Sequence, residues 1–233
     1  MMKQKIWKLV RPVVRPLGGA IIIALFYLLR IFPIKKNKVV VCVSSGRRYD
    51  DNQKFIMEEL HKLCPDMDVV WMKDPLFAYE LPSWMRAVKW RSWRWLYEYA
   101  TAKIWIDNCT LPDYFAKRKG QMYIETWHGG LGIKKVAGDI IGEYALGSDM
   151  ADVYISNSDH LSGIYRRAFN FHGPIWKCGY PKNDMLVQNN PEDGERPTCR
   201  TTRQEIGIVK QQDYLLSTFC SASGSRISMV GGV

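Results

Sequence analysis

One histidine near the middle of the chain lies in a setting suited to chemistry. Residues 121–125 have the pattern of a short buried strand, and Trp127, His128 and a glycine-rich turn follow it. His128 has the side chain in this stretch that takes or gives a proton near neutral pH. A turn that only joins a strand to a helix has no need of Trp-His-Gly-Gly in succession. The stretch therefore indicates a ligand site at the carboxyl edge of an α/β sheet.

The residues after this histidine favour a phosphate group as ligand. Gly129 and Gly130 allow the backbone to approach a ligand closely, and their amides can bind an anion. Lys134 and Lys135 supply positive charge. Asp139 follows at a predicted helix start, where two interpretations stay open. It either orients the histidine or an acceptor hydroxyl, or it is a solvated carboxylate at a helix end.

Strands alternate with helices along most of the chain. The β-branched run at 38–44 predicts a strand buried on both faces of a parallel sheet, and a turn at Gly46 leads into a predicted helix at 50–63. The alternation predicts an α/β fold with a Rossmann-like, doubly wound, mostly parallel sheet. Further strands are predicted at 68–72, 103–107, 121–125, 153–156 and 175–178, with helices at 83–100 and 158–169.

The predicted helix at 83–100 is crowded with tryptophan, tyrosine and arginine. Such mixtures occur at membrane interfaces and on surfaces that stack nucleic-acid bases. Alternatively, half of the aromatic side chains belong to the core and the basic residues form a solvated face. For those that remain, an apolar segment near the amino terminus favours contact with a membrane over contact with nucleic acid.

That apolar segment comprises thirteen uncharged residues at 17–29 with basic residues on both sides. A spanning helix needs about 20 apolar residues, so a helix that lies in the membrane surface is the better prediction. A helix buried in the core is the alternative.

The net charge of +10 is concentrated at the amino terminus. Residues 1–48 hold eleven Lys and Arg and no Asp or Glu, whereas the other 22 basic residues are offset by 23 acidic ones, a net charge of −1. A nucleic-acid binder usually carries its basic residues on a folded face. The pattern instead favours an anionic membrane surface and argues against nucleic acid as partner.

Several site types lack their sequence signatures. The six cysteines are widely spaced without a CxxC pair, which indicates free thiols, and the histidines other than His128 show no metal spacing. A P-loop would need Gly-Lys-Ser/Thr, which is absent. We therefore expect no cofactor and no metal site.

Five ordered blocks give the chain a family resemblance. TWHGGLGIKKVAGD resembles the Trp-His-Gly motif of the CDP-glycerol glycerophosphotransferases, the teichoic-acid and capsule primases and polymerases of Gram-positive bacteria. The family often continues Trp-His-Gly-Thr-Pro-Leu-Lys, whereas Gly130-Leu131-Gly132-Ile133 intervenes here. The other blocks resemble the family in the same order: SSGRRYDDNQKFIMEEL (44–60), TAKIWIDN (101–108), DVYISNS (152–158) and GYPKND (179–184).

The resemblance implies the acceptor-side lobe of a two-lobed, GT-B-type transferase. Its reaction moves glycerol phosphate from CDP-glycerol to a hydroxyl of a lipid-linked glycan or glycerophosphate acceptor, with His128 as general base. It also implies monotopic attachment to the cytoplasmic face of the cell membrane. Acceptor and phosphate contacts are expected from Gly46, Asn52, Asn108, Trp127, Gly129, Gly130, Lys134, Lys135 and Asp139, and lobe-interface positions from Gly179, Pro181, Asn183 and Asp184.

The predicted organisation has three parts: a membrane-associating segment at 1–36, a Rossmann-like domain at 37–190, and a linker with an aberrant or truncated tail at 191–233. In the family the donor pocket lies in a carboxyl-terminal lobe, so we expect little transferase activity from the chain alone. A membrane-associated module that binds the acceptor without chemistry is the alternative.

Overall fold

The computed structural model describes residues 18–112, 115–129, 132–141 and 150–183. The strands in this part of the chain are β1 (Lys35–Cys42), β2 (Asp68–Lys73), β3 (Met85–Lys89), β4 (Ala102–Asp107), β5 (Met122–Glu125), β6 (Val153–Ser156) and β7 (Ile175–Lys177). The helices are α1 (18–29), α2 (Asp51–Leu63), α3 (Trp93–Thr101), α4 (Gly138–Ile141) and α5 (Asp159–Ala168).

Seven strands of the described chain form one sheet in the order β3-β2-β1-β4-β5-β6-β7, and every neighbouring pair is parallel. The chain moves outward from β1 in one direction and then crosses to β4 on its other side. Right-handed crossovers place the connections on opposite faces of the sheet when the direction reverses. The prediction of an α/β fold with a parallel sheet is confirmed, and the switch point lies between β1 and β4.

The central strands are buried because both of their faces are covered. Val39, Val40 and Val41 of β1 are fully inaccessible, as the unbroken β-branched run predicted. A cluster of aromatic rings packs beside them, with centroids 4.6–5.2 Å apart for Phe115 against Trp95 and Tyr99 and for Tyr99 against Trp105. This packing holds the neighbouring strands, and hence their carboxyl ends, in register.

The predicted helix at 83–100 is wrong in its first half. Met85–Lys89 is an edge strand paired with β2, and α3 begins only at Trp93, after Arg91 adopts a φ of 59° and Ser92 caps the helix through Trp95 N. Residues 85–89 form a strand because pairing with β2 and the burial of Met85 and Val88 outweigh their helix propensity.

The aromatic residues of this stretch are divided between core and surface. Trp95 and Tyr99 are buried, and Trp84 stacks on His61 with ring centroids 4.1 Å apart. Trp93 is 65% exposed. The interpretation that half of these rings belong to the core therefore agrees with their positions.

Helix α1 is docked on one side and open on the other. Phe26 is fully buried, with its ring centroid 4.9 Å from that of Phe115. The guanidinium of Arg118 donates to the carbonyls of Arg30 and Phe32, just beyond the helix, and to Ala100 O. Exposed apolar side chains remain at Ile21, Ile22, Ile23, Tyr27, Leu28, Ile31 and Phe32.

Among the described residues, no helix has the length and apolar character needed to cross a bilayer. Cys42 and Cys109 are free thiols, as expected, whereas Cys64 is disulfide-bonded, which corrects the prediction of free thiols throughout. The predicted tail at 191–233 lies outside the described residues. The proposed division at 36 and 190 therefore stays a prediction.

Candidate active site

The carboxyl ends of β1, β4 and β5 meet at one place on the sheet edge. Asp107 of β4 is in register with Cys42 of β1 and with Glu125 of β5. The segments that follow these three strands therefore lie side by side at the switch point, where ligands of open α/β sheets bind. Ser44, Asn108 and His128 belong to those segments.

His128 is exposed, and one of its ring nitrogens is fixed by the backbone. Nδ1 lies 2.6 Å from the carbonyl oxygen of Asn108. A carbonyl oxygen only accepts hydrogen bonds, so Nδ1 carries a proton, and in the neutral ring Nε2 is the nitrogen that keeps its lone pair. A neutral ring held in this tautomer can act as a general base through Nε2.

Cys109 lies beside the same ring, with its Sγ 3.9 Å from His128 Nδ1. A Cys–His pair can form a nucleophilic thiolate. Here burial raises the pKa of the Cys109 thiol to about 11, with smaller contributions from nearby carboxylates. The thiol is therefore protonated near neutral pH, and the arrangement favours base catalysis by His128 over attack by sulfur.

Trp127, directly before the histidine, lies in a strained turn. Its φ is 54°, in the left-handed region that non-glycine residues seldom adopt. Its backbone N–H donates to Glu125 Oε1 at 2.9 Å, and its indole packs on the rings of His128 and Phe169, with centroids 4.2 and 4.7 Å away. The buried glutamate and the aromatic contacts together stabilise the turn.

Asn108 connects three segments of the site and is fully buried. Its Oδ1 accepts from Ser44 N at 2.7 Å, its Nδ2 donates to Asp51 Oδ2 at 2.7 Å, and its carbonyl accepts from His128. These bonds fix the asparagine in one orientation. The position of its carbonyl, and so of the histidine ring, depends on all of them.

Asp51, at the start of α2, continues these contacts across the site. Its φ is 64°, and its Oδ1 accepts from Lys182 Nζ at 2.8 Å and from Asn52 N at 3.0 Å. Asp51 is only 12% exposed and Lys182 30% exposed, so water screens this ion pair less than a surface pair. Residues 179–183 are thereby attached to α2.

Two buried carboxyl groups lie behind the turn. Burial raises the pKa of Glu125 to about 8, although Tyr123 Oη and Trp127 N both donate to it. Burial, reinforced by the nearby Glu125, also raises the pKa of Asp107 well above its usual range, and Tyr99 Oη donates to both of its oxygens. Perturbed carboxyl groups of this kind cluster at functional sites.

Two buried polar atoms next to Asp51 lack a hydrogen-bond partner within the described ranges: Asn52 Nδ2 and Gln53 Oε1. Both residues are fully inaccessible. The other end of the Gln53 amide donates to Thr126 Oγ1 at 2.9 Å, which links α2 to the turn after β5. Unpaired buried groups cost stability, and their presence here is a second sign of a functional site.

The predicted glycines have structural reasons to be glycine. Gly46 has a φ of 83°, and a Cβ there would lie 2.8 Å from Asp74 N, so the turn needs glycine in order to pack against the end of β2. A Cβ on Gly129 would lie 3.0 Å from the indole nitrogen of Trp127. Lys134 and Lys135 are exposed beyond this turn.

Asp139 pairs with Arg167 and not with His128, whereas its predicted contact with an acceptor stays a prediction. Both of its oxygens accept from the Arg167 guanidinium, at 2.9 and 2.8 Å, and this bidentate pair joins α4 to α5. The hydrogen bond from Arg167 lowers the pKa of Asp139. Sequence spacing does not reveal this partner, and the carbonyl of Asn108 contacts the ring of His128 instead.

The predicted lobe-interface residues fall in a short return segment after β7. Gly179 has a φ of 76° and donates to Ser156 O, and Pro181–Asn183 forms a 3-10 turn. Lys182 N, within that turn, lies 3.4 Å from Asn52 Oδ1. Two of the predicted site residues, Gly130 and Asp184, lie outside the described residues.

Sequence reasoning missed four residues of this arrangement. Asp51 and Gln53 flank the predicted Asn52, and Thr126 precedes the Trp-His pair, so proximity to named residues could have drawn attention to them. Lys182 lies between the predicted Pro181 and Asn183. Its distance of 131 residues from Asp51 along the chain hides the contact.

Most of the chain matches the model of one protein family. The model of the family described as CDP-glycerol:poly(glycerophosphate) glycerophosphotransferase matches residues 24–218, which is most of the chain. The chain belongs to this family. The match includes the carboxyl edge of the sheet and the Trp-His-Gly turn.

Two curated proteins that are similar to this chain belong to teichoic acid synthesis by name. The chain is 26% identical over 209 residues to the teichoic acid poly(glycerol phosphate) polymerase of Bacillus subtilis strain 168, covering 83% of the chain and 27% of the relative. It is 27% identical over 202 residues to the teichoic acid glycerol-phosphate transferase of Staphylococcus aureus, covering 80% of the chain and 51% of the relative. The chain thus spans about a quarter to a half of these relatives.

Solved structures of the wall teichoic acid polymerase TagF share the fold. One superposes with a TM-score of 0.64 at 25% identity, covering 77% of this chain and 48% of the other. Another, solved after a soak with CDPG, gives a TM-score of 0.65 at 23% identity and covers 84% and 52%. The similarity covers about half of each solved chain.

Proposed function

We propose that this family member transfers glycerol phosphate from CDP-glycerol to a hydroxyl of a membrane lipid-linked acceptor, in the synthesis of teichoic acid or a capsular polymer. The observation that carries the proposal is the exposed His128, whose Nδ1 is held by Asn108 O at 2.6 Å so that Nε2 is left as a base. Family membership supplies the reaction class.

In the proposed reaction the acceptor hydroxyl attacks the phosphorus of the glycerol phosphate group. Nε2 of His128 takes the hydroxyl proton as the new P–O bond forms and CMP leaves with the electrons of the broken P–O bond. A positioned base of this kind contributes about 10²–10⁴-fold to the rate. Charge on the phosphoryl oxygens would be stabilised by the backbone amide of Gly129 and by Lys134 and Lys135, which follow the histidine.

The proposed acceptor is lipid-linked because the same chain carries a surface suited to a bilayer. Helix α1 exposes Ile21 and Leu28 at 58 and 61%, and Ile31, just beyond the helix, is 73% exposed. Eleven basic residues and no acidic ones occur within residues 1–48. An apolar row flanked by basic residues is typical of a helix that lies in an anionic membrane surface. We therefore propose that α1 attaches the enzyme to the cytoplasmic face.

We further propose that the described domain is the acceptor-side lobe of a GT-B-type transferase. The sheet order and the position of His128 at the switch point support this. In this arrangement the 179–183 segment, which follows β7 and returns to α2, lies next to the other lobe. The expectation that the 233-residue chain has little turnover alone stays a prediction.

The test measures CMP release from CDP-glycerol in the presence of anionic vesicles and a lipid-linked acceptor analogue. His128→Ala should lower turnover by ~10²–10⁴-fold, the contribution of a general base. His172→Ala is the matched control, because the His172 ring is exposed and bonds to the Asn170 side chain away from the site. Turnover that His128→Ala leaves unchanged would exclude His128 as the base.

Absence of turnover in the wild-type chain has its own interpretation. If the chain still binds the acceptor analogue, the result agrees with the expected low turnover of the chain alone and also with the second candidate, a module that binds acceptor without chemistry. Wild-type turnover would instead contradict the expectation of an inactive chain.

A further inference from the structure

The base proposed above is connected to a distant part of the chain. Lys182 Nζ donates to Asp51 Oδ1 at 2.8 Å, Asn108 Nδ2 donates to Asp51 Oδ2 at 2.7 Å, and His128 Nδ1 donates to Asn108 O at 2.6 Å. We call the three residues that lead to His128 the Lys182–Asp51–Asn108 network. It joins the segment after β7 to the turn after β5 through α2.

We propose that Asp51 and Lys182 are positioning residues that hold His128 in its Nδ1-protonated tautomer, so that docking of the 179–183 segment on α2 completes the active site. The inference rests on the proposed role of His128 as base. It goes beyond that role by naming the residues that fix its tautomer and the segment that controls them.

Hydrogen bonds on two sides hold Asn108 in place. Its carbonyl can hold the histidine only while its peptide unit stays in place, and its fully buried side chain is fixed by Ser44 N on one side and Asp51 on the other. Removing the Asp51 carboxylate leaves Nδ2 of Asn108 buried without its partner. A buried unpaired donor is costly, so the side chain will turn to find another acceptor and carry the peptide with it.

The Asp51 carboxylate is in turn held by Lys182. Asp51 adopts a φ of 64°, a conformation that needs support from its surroundings. That support comes from the ion pair, from Asn52 N on Oδ1, and from Lys182 N, which lies 3.4 Å from Asn52 Oδ1. The Lys182 side chain and backbone thus both contact the start of α2.

Direct observation of the histidine ring tests the inference without relying on activity. The full 233-residue chain, labelled with ¹⁵N-histidine, gives long-range ¹H–¹⁵N correlations that distinguish a proton on Nδ1 from one on Nε2 when the ring is neutral. Wild-type His128 should be mostly Nδ1-protonated. Asp51→Ala and Lys182→Met should shift the proton population toward Nε2, since an unconstrained imidazole shares its proton between both nitrogens.

Two control variants separate this effect from a general loss of charge. Asp50→Ala removes the neighbouring carboxylate, which makes no side-chain cap to α2. Lys177→Met removes a lysine from an exposed ion pair with Asp159, at 2.7 Å. Both controls should leave the His128 tautomer as in wild type.

The second readout is kcat and KM for CMP release, measured in a preparation of the protein that is active. Lys182→Met should lower kcat by roughly 10- to 100-fold with little change in KM, a part of the ~10²–10⁴-fold that a general base supplies. If Asp51→Ala does not fold, the Lys182→Met spectrum decides. An unchanged tautomer in Lys182→Met overturns the inference.

The two proposals fail differently. A tautomer shift in the variants, together with turnover that His128→Ala leaves unchanged, supports the Lys182–Asp51–Asn108 network and excludes His128 as the base. Catalysis that depends on His128, with a tautomer that ignores Asp51 and Lys182, supports the reaction and excludes the network as a positioning device.

Discussion

Two glutamates, one near each end of the sheet, are equally buried and behave in opposite ways. Glu98 and Glu125 are both 1% exposed. Burial alone would raise the pKa of Glu98, but hydrogen bonds from Arg86 and Lys38 lower it. Burial raises the pKa of Glu125 to about 8, because its donors, Tyr123 Oη and Trp127 N, are neutral.

The difference distinguishes a structural cluster from a site. At the amino end, the fully buried Lys38 bonds to Glu98 at 2.7 Å and to Thr101, while Arg86 bridges Glu98 and Asp68. At the carboxyl end, Glu125 and Asp107 accept hydrogen bonds from neutral donors in the described contacts, and unpaired amide atoms and left-handed residues accumulate. The amino end is optimised for stability, and the carboxyl end keeps groups that are costly to the fold.

The largest effect should come from breaking the amino-terminal cluster. Glu98→Leu leaves the Lys38 ammonium buried with the hydroxyl of Thr101, and should lower the free energy of unfolding by about 3–5 kcal/mol. Urea unfolding followed by circular dichroism measures it. Lys38→Met in the Glu98→Leu background should recover much of the loss, since a buried pair can be replaced by apolar side chains.

The matched control is Glu59→Leu, which breaks the exposed pair with Lys62. Surface pairs of this kind contribute about 0–1 kcal/mol. A loss in Glu98→Leu no larger than in Glu59→Leu would show that the two ends of the sheet do not differ as argued.

Glu125→Gln should change the free energy of unfolding by less than Glu98→Leu does, and the change should depend on pH. The unfolded carboxyl group titrates near 4.5 and the folded one near 8, so between these values the folded state binds more protons than the unfolded state. The contribution of Glu125 to stability is therefore full below about pH 4.5 and is lost as pH rises toward 8.

The variant should remove this slope and be more stable than wild type at pH 8 by roughly a few kcal/mol, while the two converge at low pH. Unfolding free energies measured from pH 4.5 to 8.5 test this. Parallel curves for both proteins would mean that Glu125 is not the titrating group.

The smallest effect is expected at Asn52. Asn52→Leu removes a buried Nδ2 that has no partner in the described chain, at the cost of the long 3.4 Å contact from Lys182 N to Oδ1, so the free energy of unfolding should rise by about 1 kcal/mol. Turnover should fall if this amide binds the acceptor. Asn37→Leu, at an exposed asparagine, is the control and should change neither. A Tm below that of wild type would contradict the idea that Asn52 is kept for function.

The fold was largely predictable because local patterns agreed with tertiary structure. The valine run of β1 is buried on both faces, and the predicted strand at 153–156 matches β6 residue for residue. His128 was singled out because a Trp-His-Gly turn is unusual. Its proposed role as base depends on the carbonyl of Asn108, which lies at the same sheet edge.

The failures have a common physical cause, contacts between residues far apart in sequence. Edge strand β3 was read as helix because its pairing with β2 is invisible to local propensity. A contact of Asp139 with the histidine was one of the interpretations left open, because its partner in the structure, Arg167, is 28 residues away. The Asp51–Lys182 pair escaped notice for the same reason.

Arg118 has a consequence for the size of the acceptor. It ties the end of α1 to Ala100, just before β4, whereas the turn that follows the other end of β4 contains Asn108. Six residues of extended chain span about 20 Å, so β4 acts as a ruler of that length between the proposed lipid contact and the proposed base. Under the proposed function, an acceptor headgroup much shorter than this distance would not reach His128, and one of about this length would place its terminal hydroxyl there.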